Sequence, residues 1–273
     1  MATVDVDAVK DGESEANETK RKSVPKVEHV SNEVDIKKLM EAGAHFGHKT
    51  SRWHPAMREY IHSKRGGVHI IDLTKTVELL QQALSFIEKT VGESKQILLV
   101  STKRQARDIV FEAAQKTNMP YVTNRWLGGM LTNRTTIGDR IKYLKDLETR
   151  MENGQLASKY SKLEVQRYQE EIEEMNQLYG GIKDMAGRPG ALFIVDINED
   201  KNAVKEAQKL GLPIVALVDT NVDPRQVTYP IPANDDAIKT IKLMMNYVVS
   251  AIETGKTKQN KKSDDKEEVK PVK

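Results

Sequence analysis

A chain of 273 residues with 38% hydrophobic content can bury one large core, but no apolar run approaches the roughly 18 residues of a membrane-crossing helix. The absence of cysteine excludes a disulfide framework and sulfur-ligated zinc, and it fits a reducing, cytoplasmic setting. A net charge of +3 hides an asymmetry: residues 42–145 hold 17 lysines and arginines against 8 acidic residues, a local +9, and the remainder sums to −6. A field of one sign over half a molecule speaks of partners, and a polyanion is the first candidate.

In chain order, residues 1–35 are polar and lack an apolar period, so they are expected to be a disordered extension. Acids scattered from Asp5 to Glu18 leave no apolar core for a leader peptide. Ile36 to Met40 predicts the last turns of a short helix ending at Gly43. Between Ala42 and Ile71 stand five cations and five histidines against one acid, Glu59, with Phe46, Trp53 and Tyr60 interleaved. Gly47, Pro55, Gly66 and Gly67 break this segment, which therefore reads as loop with brief ordered pieces, then a short strand over Val68–Asp72.

Leu73, Val77, Leu80, Leu84, Ile87 and Val91 repeat at helical spacing, and Ile97–Val100 is an apolar run of strand length. A helix carrying Ala106, Val110, Ala113 and Ala114 inward follows, and then a short strand at Tyr121–Val122. Two apolar stripes, Ile137 to Met151 and Val165 to Tyr179, are separated by Asn153-Gly154 and predict an antiparallel coiled-coil hairpin. Ala191–Asp196 and Pro213–Asp219 then read as buried strands around a helix over Ala203–Leu210. A loop with Pro224, Pro230 and Pro232 leads to a last helix, and 256–273 reads as a disordered Lys-rich tail. Strands alternating with helices predict an α/β domain with a parallel sheet covered on both faces. The globular domain takes 36–130 and 182–255, with the hairpin inserted over 131–181.

Glu41–Thr50, Arg52-Trp53-His54-Pro55, His69–Thr76, Arg125–Asn133 (R-W-L-G-G-M-L-T-N), Gly180–Met185, Val218–Pro224 and Ile231–Ala237 stand in one order and register. Together they resemble the small-subunit ribosomal protein S-two family, in its bacterial-type branch, from about Ile36 to Ile252. Blocks of this length are far more specific than one short motif. Ser101 and Ala233 depart from the family pattern, each where glycine is usual. The resemblance implies a Rossmann-like sheet with a protruding coiled-coil hairpin, no catalysis, no cofactor and no small-molecule substrate. It also implies contact with small-subunit ribosomal RNA and neighbouring ribosomal proteins, including the mRNA-binding protein S-one.

For RNA contact the first candidates are Lys49, Arg52, Arg58, Lys64 and Arg65, because guanidinium forks and ammonium groups match phosphate oxygens. Trp53 reads as packing or as a stacking platform for a base. Lys103, Arg104 and Arg107 are read as opening a helix directly after a strand, without the glycines of a dinucleotide turn. Arg125, Asn133 and Arg134 flank Gly128-Gly129, which lacks the Lys-Ser/Thr of a P-loop. The histidines lack the paired spacing of a zinc site, so no metal is expected. Asp196 and Asp219 end apolar strands, where capping is preferred over a cation site. They keep open an alternative, a sugar-phosphate or nucleotide-binding enzyme. A third reading makes the hairpin a docking arm on a non-ribosomal scaffold.

Overall fold

A computed structural model describes residues 34–267. The expected N-terminal extension lies outside the described residues save its last two. There Val34 packs on the core, and the Asp35 side chain accepts the Lys37 amide at 2.8 Å to cap helix α1 (Ile36–Ala42). Gly43, at φ +83°, ends that helix in the left-handed conformation glycine adopts freely.

The basic segment is more regular than its sequence suggests. It forms strands β1 (Phe46–Lys49), β2 (Ile61–Arg65) and β3 (Val68–Ile71) in an antiparallel sheet of order β1-β3-β2. Gly66 and Gly67, both at positive φ, make the two-residue turn between β2 and β3. The alternation that usually reveals a strand is missing because β2 is exposed on both faces beyond Ile61.

Helix α2 (Leu73–Gly92) is capped by Asp72 and buries Leu73, Leu80, Leu84, Ile87 and Val91. Then follow β4 (Ile97–Val100), α3 (Arg107–Thr117) and β5 (Tyr121–Val122). The insertion comprises α4 (Arg134–Glu152), α5 (Gln155–Lys159) and α6 (Lys162–Tyr179), the last opened by a Ser161/Glu164 capping box. α4 packs on α6 around buried Leu144, Leu147 and Met175. The chain returns through β6 (Ala191–Ile194), α7 (Lys201–Lys209), β7 (Ile214–Val218), β8 (Tyr229–Pro232) and α8 (Ile238–Glu267).

The main sheet is parallel throughout, in the order β5-β4-β6-β7-β8. Its two faces sort by residue parity. Ile97, Leu99, Phe193, Val215 and Leu217 face α2, α3 and α8, whereas Leu98, Val100, Leu192, Ile194 and Ala216 face the α7 side and Trp126. This is the Rossmann-like α/β architecture expected. The stretch with Pro230 and Pro232, expected to be loop, is instead an edge strand, a position in a sheet where proline is tolerated. The expected Lys-rich tail also differs, because α8 continues without a break to Glu267. Lysine, glutamine and glutamate extend a helix at little cost once buried residues have nucleated it. Lys256 bonds the Thr117 carbonyl and Lys258 pairs with Glu88. Residues 268–273 lie outside the described residues. No described helix is long and apolar enough to cross a membrane.

Candidate nucleic-acid interface

Lys49, Arg52, Arg58, Lys64 and Arg65 are all exposed. None is in an ion pair among the described residues, although acids elsewhere are extensively paired. The sheet register places Lys49 opposite Val68 and Val68 opposite Arg65, so the two cations flank one valine on the same face. Lys64 pairs with His69 on the other face, its ammonium 5.8 Å from the Trp53 ring centroid. Trp53 is half-buried, 5.3 Å from the His69 ring. His69 itself is buried, and burial together with Lys64 pushes its pKa down.

This basic sheet is fastened to the main body by β1. The Gly47 position has room for no side chain, since a Cβ there would meet Thr220 Cγ2 at 2.5 Å. The His48 amide donates to Thr220 Oγ1 at 2.8 Å, and the His54 amide donates to the Thr220 carbonyl at 2.7 Å. His48 Nδ1 lies 2.9 Å from Asp219 and Nε2 lies 3.5 Å from Asp236. The hydrogen bond to Asp219 raises the imidazole pKa against the opposing effect of burial. The histidines do not converge on one another as metal ligands. Among the described residues, His48, Asp219 and Asp235 alone form a group with ligand atoms within 4.8 Å of one another, suited in spacing to a cation.

The strand-end acids are partnered inside the protein. Lys103 Nζ contacts Asp196 at 3.0 Å, Asp235 at 2.8 Å and Asp236 at 2.7 Å. Burial acts to lower the Lys103 pKa, but the charges and hydrogen bonds of Asp235, Asp236 and Asp196 raise it well above the ordinary lysine value. The Asp235 carboxyl is pushed up to about 7, first by burial and then by Asp196 and Asp219. Burial likewise pushes Asp200 up to about 6. Lys103 therefore differs from the free cation expected of an RNA contact: its largely covered ammonium is the counter-ion of three carboxylates. It also lies before the helix, which starts only at Arg107.

Arg107 donates to the carbonyls of Thr102 and Asn124 at 3.0 and 3.2 Å, whereas Arg104 is exposed. Both border an open polar crevice of about 680 Å³ above β4 and β6. In this strand order, that is the switch point where α/β proteins bind ligands. Of its carboxylates, Asp196 and Asp236 are engaged by Lys103 and Asp236 also by His48, while Glu199 is exposed, and its lining is mostly polar.

Arg125 and Asn133 are exposed on the loop before α4, and Arg134 is exposed as the first residue of that helix. That loop is organised by a residue the sequence reading passed over. The Glu206 carboxylate, on α7, accepts from Trp126 Nε1 at 3.0 Å and from the amides of Gly129, Leu131 and Thr132. The signal was its place on the apolar stripe of Ala203, Ala207 and Leu210, where an acid demands a partner.

A family profile described as Ribosomal protein S2 matches residues 39–255, from α1 through the insertion to α8. The chain belongs to the ribosomal protein S2 family. Among its relatives, Small ribosomal subunit protein uS2 of Syntrophobacter fumaroxidans is 47% identical over 223 residues, 82% of this chain and 81% of the relative. The protein of that name from Dictyoglomus thermophilum is 47% identical over 229 residues, 84% and 93% of the two chains. That of Roseiflexus sp. is 47% identical over 226 residues, 83% and 86%. The S2 family is thus the one that the H-F-G-H and R-W-L-G-G-M-L-T-N blocks resemble. In this S2 member, those blocks supply β1 and the Glu206-bound loop.

Proposed function

We propose that the protein is a structural constituent of the small ribosomal subunit that binds ribosomal RNA through its basic sheet and has no catalytic role. Membership of the S2 family supports the ribosomal assignment. The observation that carries the RNA reading is an asymmetry of pairing. Five exposed cations lack acidic partners among the described residues, whereas Asp196, Asp219 and Asp235 are buried and engaged with Lys103 or His48. Unpaired surface cations this close repel one another unless a polyanion neutralises them.

Arg104, Arg125, Asn133 and Arg134 extend the contact surface, and Trp53 stacks or packs beside Lys64. The α4–α6 arm, read as a coiled coil, faces neighbouring ribosomal proteins. The mRNA-binding protein S-one is a further partner, and the setting is the cytoplasm. Recognition is mainly of backbone and shape, as folded RNA requires. Replacing Lys49, Arg52, Arg58 and Lys64 together by alanine should lower the salt dependence of RNA binding by about 3 in log–log slope and weaken co-sedimentation with small subunits. Unchanged binding would refute this assignment of residues.

The polar crevice at the switch point gives the enzyme alternative its one support. Saturable binding of a sugar phosphate or nucleotide, abolished by Asp196→Asn, would favour it; weak binding that vanishes with salt would not.

A further inference from the structure

Five donors converge on the two oxygens of Glu206. Trp126 Nε1 at 3.0 Å and the Gly129 amide at 2.7 Å meet Oε1, while the Leu131 amide at 3.0 Å, the Thr132 amide at 3.1 Å and the Thr132 hydroxyl at 3.1 Å meet Oε2. Backbone amides gathered in this way form a concavity that binds phosphate and other anions. Here the anion belongs to the chain itself. The turn needs glycine, for Gly129 sits at φ +90° and a Cβ there would meet Asn133 Cβ at 3.0 Å. The Asn133 amide donates to the Gly129 carbonyl at 2.8 Å and the Ile137 amide to the Asn133 carbonyl at 3.2 Å, so the loop runs directly into α4. Burial acts to raise the Glu206 pKa, but Trp126 and the three amides outweigh it and hold the carboxyl below its ordinary range.

The loop carries Arg125 at one end and Asn133 at the other, with Arg134 next as the first residue of α4, all exposed and neither arginine in an ion pair among the described residues. We propose that Glu206 is a positioning residue for RNA contact: an internal stand-in for phosphate that holds the Arg125–Arg134 loop in its binding shape before RNA arrives. This rests on the RNA-binding reading above. A loop ordered in advance loses less entropy on association. Since the cradle is already filled, RNA is met by the side chains on either side of it.

The test uses the full chain and a small-subunit ribosomal RNA transcript. Glu206→Gln keeps the side-chain volume but turns one acceptor oxygen into an NH2 group that faces other N–H donors. Amide exchange over residues 126–133 should quicken by about tenfold or more, with β6 and β7 still protected. RNA affinity should fall severalfold while its salt slope stays unchanged, because no cation has been removed. Glu206→Ala empties the cradle, and formate should restore loop protection where chloride at equal ionic strength does not. That rescue also decides the matter should Glu206→Gln fail to fold.

Wild-type exchange in the Glu206→Gln loop, or formate acting no better than chloride, overturns the proposal. So does a reduced salt slope, which would mean that phosphate contacts themselves were lost. If the wild-type chain shows no salt-dependent RNA binding, the RNA reading falls with the positioning role, and the exchange and formate results separately judge the cradle.

Discussion

His48 Nδ1 lies 2.9 Å from an oxygen of Asp219, joining a strand of the exposed basic sheet to the buried end of β7. One ion pair thus connects the charged face of the molecule to its core. The Asp219 hydrogen bond raises the His48 pKa in the folded state, so its contribution to stability is complete below the ordinary imidazole value and lost as pH rises through the raised one. Buried Asp235, raised to about 7, acts in the same sense: the folded state holds its proton longer than the unfolded chain, and stability falls as pH climbs from about 4 towards 7. Thermal melts should therefore show stability declining from mildly acidic towards alkaline pH. His48→Asn should remove the upper part of that decline and Asp235→Asn much of the lower, where Asp200, also raised by burial, to about 6, sustains the remainder; an unaltered profile in both variants would contradict this account.

Lys103 is the counter-ion of three carboxylates, two of them buried. Lys103→Met leaves those acids without their cation, and removing one partner of a buried pair costs about 3–5 kcal/mol. Denaturant titration should show that loss. In contrast, Arg104→Ala should leave stability within about 0.5 kcal/mol.

Gly47 admits no side chain because Thr220 occupies the space where a Cβ would stand. Gly47→Ala should force β1 away from the body at a cost of about 1–3 kcal/mol. Hydrogen exchange is the direct measurement: amides of β1 and β3 should lose protection while those of β4 and β6 keep theirs.

Lys49 and Arg65 flank Val68 on one face of the basic sheet. Their joint replacement by alanine should reduce the salt slope of RNA binding by about 1.5 and leave the melting temperature nearly unchanged. Filter binding at several potassium concentrations gives the slope. A fall in affinity that is equal at every salt concentration would argue against phosphate contact at these positions.

Local chemistry made much of the architecture legible in sequence. The continuous apolar run Ile97–Val100 is a strand buried on both faces, and Gly43 ends its helix as its lack of a Cβ allows. What stayed hidden depends on distant residues. Lys103 looks like any surface cation until β6 and β8 bring Asp196 and Asp235 to it. Glu206 looks like an ordinary helical glutamate until the loop over 126–132 folds around it. Strand β2 was illegible for another reason, since a ribbon wet on both sides has no period in hydrophobicity.

The two prolines of β8 carry a consequence for the chain's life off the particle. An outermost strand presents unused donors and acceptors to any other extended polypeptide, and such borders seed aggregation. Half-buried Pro230 has no N–H to offer, and Pro232 is buried with its carbonyl accepting the Thr76 hydroxyl, so this rim gives an approaching peptide a poor ladder to extend. Newly made copies awaiting incorporation thereby carry their own guard against sticking together.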